Sequence, residues 1–113
     1  MRVERLSPLP DQKTQFAWSH HGTVPDSPGC YALVTYRGDV LYVGLATSSV
    51  RSRLGAHLDT PDKRQGNNLG VPFWLYYILR PATEVHAVER GWMNQAILEE
   101  GEMPPFNRVY SPL

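Results

Sequence analysis

A single cysteine, Cys30, serves the whole chain, so no disulfide can form within it. That scarcity suits a reducing compartment. An excess of one charge is missing too: eleven Lys and Arg offset eleven Asp and Glu. Without it the chain lacks the broad basic footprint with which many proteins hold nucleic acid. Any such contact must come from a local patch or from partners. There is no long apolar run of the kind a membrane-crossing helix needs, and no secretory-leader pattern at the N-terminus. The expectation is a soluble, cytoplasmic protein. Clustered zinc-ligand spacing is absent as well, because Cys30 and the four histidines (His20, His21, His57, His86) are scattered. No internal repeat or low-complexity tract appears.

The 113 residues fit one domain, and a hydrophobic share of 42% is enough for a small core. Residues 1–27 carry Pro8, Pro10 and Pro25 with little periodicity and read as an N-terminal arm, with Phe16 and Trp18 packed on the core. The domain proper is expected over 28–113. "CYALVTYR" and "VLYVG" are rich in β-branched and aromatic residues, and Gly38-Asp39 suits the turn between them, so 29–44 reads as a β-hairpin. "TSSVRSRLGAHLDT" reads as a helix capped by Ser48 or Ser49, with Val50, Leu54 and Leu58 on one face. "PDKRQGNNLG" reads as a polar loop. "PFWLYYILRP" suits a central strand buried on both faces. A second helix follows, with Thr83 as N-cap and Gly101 as its stop. The order β-β-α-β-α predicts a small α+β domain: a mostly antiparallel three-stranded sheet covered by helices.

Several side chains stand out against this frame. On the second helix Val85, Val88, Trp92, Met93 and Ala96 form one apolar face, and Glu89 falls inside it. A carboxylate there is costly unless paired, hydrogen-bonded or metal-bound. A buried ion pair, a reach to water, and a metal or catalytic role all stay open. Arg53 and His57 are four apart and share a helix face. Each alone is compatible with an ordinary surface or core position. Tyr31 and Tyr42, on neighbouring strands, are compatible with a cross-strand pair.

Taken in order, Gly29-x-Tyr31, Tyr42-x-Gly44, Arg53 with His57 four later, Glu89, and Asn107 in "PPFN" resemble the GIY-YIG nuclease superfamily. The resemblance spans roughly residues 28–108. It implies the same β-β-α-β-α fold and a DNA endonuclease using one divalent metal, Mg²⁺ or Mn²⁺. It implies Glu89 as metal ligand, Arg53 on the scissile phosphate, Tyr31 or Tyr42 at the attacking water, and His57 relaying a proton or touching phosphate. Gly29, Gly44 and Asn107 would brace the site. Leu45 stands where members often carry a lysine or another polar residue. Arg51, Lys63, Arg64 and Arg80 are the local basic candidates for DNA, with a solvated loop as the other reading of Lys63 and Arg64. A homodimer or protein partner would have to add DNA contacts. The competing expectation is a catalytically weak or inactive module of the same fold that binds nucleic acid or protein.

Overall fold

The hairpin expected from the glycine-tyrosine stretch is present and forms one edge of the sheet. β2 (Gly29–Thr35) and β3 (Val40–Ala46) pair antiparallel around a turn closed by Gly38 N–H donating to Thr35 C=O at 3.0 Å. The structure, a computed structural model, describes residues 1–66 and 68–107, the side chains of Asp62 and Arg64 excepted. Leu33 faces Tyr42 and Val34 faces Val40, so Leu41 is an extra residue in β3. Such a bulge resets which side chains point to which face. It brings Leu41 into the core cluster that holds Tyr42, while the regular ladder before it, Tyr31 facing Gly44 and Leu33 facing Tyr42, already sets Tyr42 on the side of Tyr31.

The sheet has four antiparallel strands, ordered β1-β4-β2-β3, rather than the three expected. The additional strand is β1 (Gln12–Gln15), from the segment read as an arm, and it pairs with β4 (Pro72–Leu79). Its sequence, QKTQ, is polar, which suits an edge strand exposed to water. The same segment includes a 3₁₀ turn (Val3–Arg5) and the short helix α1 (Trp18–His21). Val3, Leu6 and Phe16 are buried, whereas Trp18 is 51% exposed and does not join the core. The strand buried throughout is β2. β4 lies beside it in the sheet but leaves Phe73, Trp74 and Tyr76 only partly covered, contrary to the both-faces reading of its apolar run.

Two helices cover opposite faces. α2 (Val50–Leu58) starts where Ser49 accepts the Ser52 N–H, and it buries Val50, Leu54 and Leu58 against Tyr31, Leu33 and Leu75. α4 (Val85–Glu100) lays Val85 and Trp92 on Cys30, Ala32, Val34 and Val43. Gly101 ends it in the left-handed conformation at φ 77°, which glycine adopts without a Cβ clash. Thr83 does not cap this helix; the preceding position is Glu84, which makes no side-chain cap bond. The stretch read as a loop after α2 contains a short helix, α3 (Pro61–Gln65). Pro61 opens it, where its missing N–H is no loss. Among the described residues no helix is long and apolar enough to cross a membrane.

Candidate active site

β3 leaves the sheet at Ala46, and the chain crosses Thr47, Ser48 and Ser49 before α2 begins. This corner forms the floor of a cleft of about 480 Å³, lined by Tyr42, Gly44, Leu45, the three hydroxyl residues, Ser52, Arg53 and Glu89. Arg53 comes from the helix on one face of the sheet and Glu89 from the helix on the other. The cleft brings three of the residues singled out in the sequence, Tyr42, Arg53 and Glu89, to one surface.

The other two lie just beneath it. Tyr31 is fully buried and His57 is 2% exposed. The Tyr31 hydroxyl is 2.7 Å from His57 Nε2, and Arg53 Nε donates to it at 3.4 Å. The Tyr42 ring lies beside it, with the two ring centroids 6.2 Å apart. Gly44 makes this arrangement possible. A Cβ there would stand 2.6 Å from the Tyr31 Cζ and hydroxyl, so the phenol fits under the cleft floor only because residue 44 has no side chain. Gly29 is constrained in the same way by β4, since a Cβ would meet the Ile78 carbonyl oxygen at 2.4 Å.

Burial dominates the electrostatics. It pushes the Tyr31 phenol well above its usual range, with Tyr42 adding to the rise and Arg53 opposing it. Burial, reinforced by Lys63 and Arg53, pulls His57 down to about 3. Burial also raises the carboxyl of half-buried Glu89, which His86 and Arg90 partly offset. A divalent cation would relieve that penalty. No group of three or more His, Cys, Asp or Glu side chains able to hold a metal occurs among the described residues. A lone carboxylate beside hydroxyls nevertheless fits Mg²⁺, which keeps several waters and takes one or two carboxylates plus substrate phosphate oxygens. It does not fit a structural zinc site.

Asn107 is fully buried and clamps β3 from outside. Its Oδ1 accepts the Val43 N–H and its Nδ2 donates to the Val43 C=O, both at 2.9 Å. Val43 sits between Tyr42 and Gly44, so the clamp fixes the strand that forms the cleft wall.

The basic candidates separate. Arg51 points away from the cleft, its Nε donating to the Val24 C=O at 2.7 Å. Arg80 donates to the Leu79 C=O. The side chain of Arg64 lies outside the described residues. Lys63 is not on a solvated loop: it is 6% exposed, with Nζ 2.6 Å from His57 Nδ1 and 4.5 Å from the centre of the Tyr42 ring. Its ammonium therefore belongs to the site and is not displayed at the surface. The sequence held a signal for the helix itself in the opening Thr60-Pro61 pair, but not for the direction in which Lys63 points. Compared with protein-family models and with curated protein sequences, the chain matches none.

Proposed function

We propose that this protein is a metal-dependent endonuclease of the GIY-YIG type, hydrolysing DNA phosphodiester bonds in the cleft between α2 and α4. The observation that carries this reading is the convergence of Tyr42, Arg53 and Glu89 on one cleft, with Tyr31 and His57 joined to Arg53 below its floor. Arg53 is exposed, and its remaining guanidinium N–H groups suit the oxygens of a scissile phosphate. Tyr42 lines the cleft and Tyr31 does not, so the attacking water is assigned to Tyr42. Tyr31 and His57 hold Tyr42 and Arg53 in register from behind. A divalent ion on Glu89, Mg²⁺ or Mn²⁺, would supply charge neutralisation at the phosphate and the leaving 3′ oxygen.

A second reading has one observation in its favour. The formal net charge is zero, while phosphate contacts dominate nucleic-acid affinity. On that reading the domain binds nucleic acid or a protein partner without cutting. On the first reading, a second copy or a partner protein supplies the missing DNA contacts.

Nicking of supercoiled plasmid with Mg²⁺ or Mn²⁺ separates the two. Cleavage that drops by about 100-fold or more in Glu89→Ala and in Arg53→Ala supports the endonuclease. Firm DNA binding with no cleavage in any divalent metal would sink it.

A further inference from the structure

The face of the sheet that carries α4 is covered unevenly. α4 lies over β3 and β2. On the neighbouring flank, formed by β4 and the edge strand β1, Trp74 and Tyr76 are only partly buried. Both belong to the α4 side, because they pack against the cluster of Cys30, Ala32 and Val34. At the hairpin turn Tyr36 is 72% exposed. Its ring stacks on Trp74 at 6.4 Å and 20°, and it meets Phe73 edge-on at 5.0 Å. Lys13 faces Tyr76 across the strands and holds its Nζ 4.3 Å from the centre of the Trp74 ring and 5.7 Å from that of Tyr76. Arg37, next to Tyr36 in the turn, is exposed. Among the described residues neither Lys13 nor Arg37 forms an ion pair.

Exposed aromatic rings in mutual contact mark a binding surface, unlike apolar residues scattered singly. The cations decide which partner they suit. An acidic peptide would pair with the lysine and gain nothing from the rings. An apolar partner would cover the rings and strand the ammonium. A single nucleic-acid strand uses both, because its bases stack on aromatic faces while its phosphates take cations. An exposed ammonium over an indole is held more weakly than a stacked base. A base can therefore displace Lys13 from the ring face and leave its charge to the adjacent phosphate. A duplex fits less well, since its base faces are hidden in its own stack.

We propose that Tyr36, Trp74 and Tyr76, with Lys13 and Arg37, form a stacking platform for single-stranded DNA. It is distinct from the cleft. Trp74 lies five residues along β4 from Leu79, which is level with Gly29 and the cleft residue Ala46. At about 3.3 Å per residue that places the platform roughly 17 Å from the cleft end of the sheet. The choice of DNA rests on the endonuclease reading; the stacking of bases does not. On that reading the platform adds contacts that a net charge of zero withholds, and it directs the cleft to duplex beside a single-stranded arm.

The test is fluorescence anisotropy of labelled oligo(dT), about twelve nucleotides long, with the full chain at about 50 mM salt and no metal. The expected result is saturable binding, at least about tenfold tighter than to an abasic strand of the same length. Trp74→Ala should weaken it about tenfold. Trp74 also packs on the core, so Tyr36→Ala, at an exposed position, is the variant that spares the fold; it should weaken binding about fivefold. Lys13→Gln should flatten the slope of log affinity against log salt by about 0.7. Equal affinity for the abasic strand overturns the proposal, as does unchanged affinity in Tyr36→Ala. Self-association in sedimentation that Tyr36→Ala abolishes also overturns it, in favour of a second copy on the rings. Tighter binding of oligo(rU) overturns the assignment to DNA. Cleavage with Mg²⁺ or Mn²⁺ supplies the functional arm. The parent should cut a duplex bearing a single-stranded arm faster than a blunt one, and Tyr36→Ala should bring the two rates together. Oligo(dT) binding that depends on Tyr36, without cleavage in any metal, upholds the platform and defeats the endonuclease reading. Cleavage together with oligo(dT) binding that is indifferent to Tyr36 defeats the platform and leaves the endonuclease standing.

Discussion

The two halves of the site are held by opposite means. The outer half, Arg53 and Glu89, is partly wet and sits on two different helices. The inner half, Tyr31 with His57 and Lys63, is buried and bound by contacts of 2.6 and 2.7 Å. Water screens the Arg53 charge, so it is inexpensive to keep and free to meet an incoming anion, while half-buried Glu89 carries a partial burial penalty. Desolvation makes the inner groups costly, and only mutual hydrogen bonds offset that cost. Stability should therefore be sensitive to the inner half and activity to both.

The largest expected break of this contrast is acidification. His57 titrates at 6.5 when solvated and at about 3 in the fold, so the unfolded chain binds an extra proton between those values. Stability is then fully present above 6.5 and falls as the pH drops towards 3, by about 1.4 kcal/mol per unit from this residue. Urea unfolding of the parent chain should lose stability more steeply over that window than His57→Gln. Equal slopes would mean that the imidazole is not desolvated in the fold.

Smaller, and confined to packing, is Gly44→Ala. The new methyl would press on the Tyr31 ring, which is fully enclosed and has nowhere to turn. The expected loss is about 1–3 kcal/mol, read as a lower urea midpoint. It should come with reduced nicking, because the phenol must shift off His57.

The smallest stability effect belongs to the outer half. Arg53→Ala removes an exposed side chain, and Tyr31 keeps its His57 bond. Unfolding free energy should move by less than about 1 kcal/mol while cleavage collapses. A large stability loss here would erase the distinction between the halves.

What the sequence made legible follows the same division. The hairpin, the Ser49 cap, the apolar face of α2 and the Gly101 stop were readable because each depends on residues close in the chain. The ordered motif series leads to the expectation that Tyr31, Tyr42, Arg53, His57 and Glu89 share one concave surface; Tyr42, Arg53 and Glu89 line one cleft, whereas Tyr31 and His57 are buried beneath it. β1 was not readable, because QKTQ has no alternation and becomes a strand only by pairing with β4, some sixty residues later. Lys63 was misread for a related reason. Its neighbours are polar, and only the tertiary position of His57 and Tyr42 gives the ammonium a buried partner. Local pattern reports the cost of burying a lysine but not the groups that offset it.

The amide of Asn107 has a consequence beyond holding the cleft wall. By taking the donor and acceptor of Val43, it imitates one residue of a fifth strand, and Phe106 N–H adds a bond to the Leu41 C=O just before it. The outer margin of β3 is thus already occupied by the chain's own closing segment. An intruding peptide or a second copy would have to displace these three bonds to pair with β3 at Leu41 and Val43. The "PPFN" segment thus doubles as a partial cover for the open edge of the sheet.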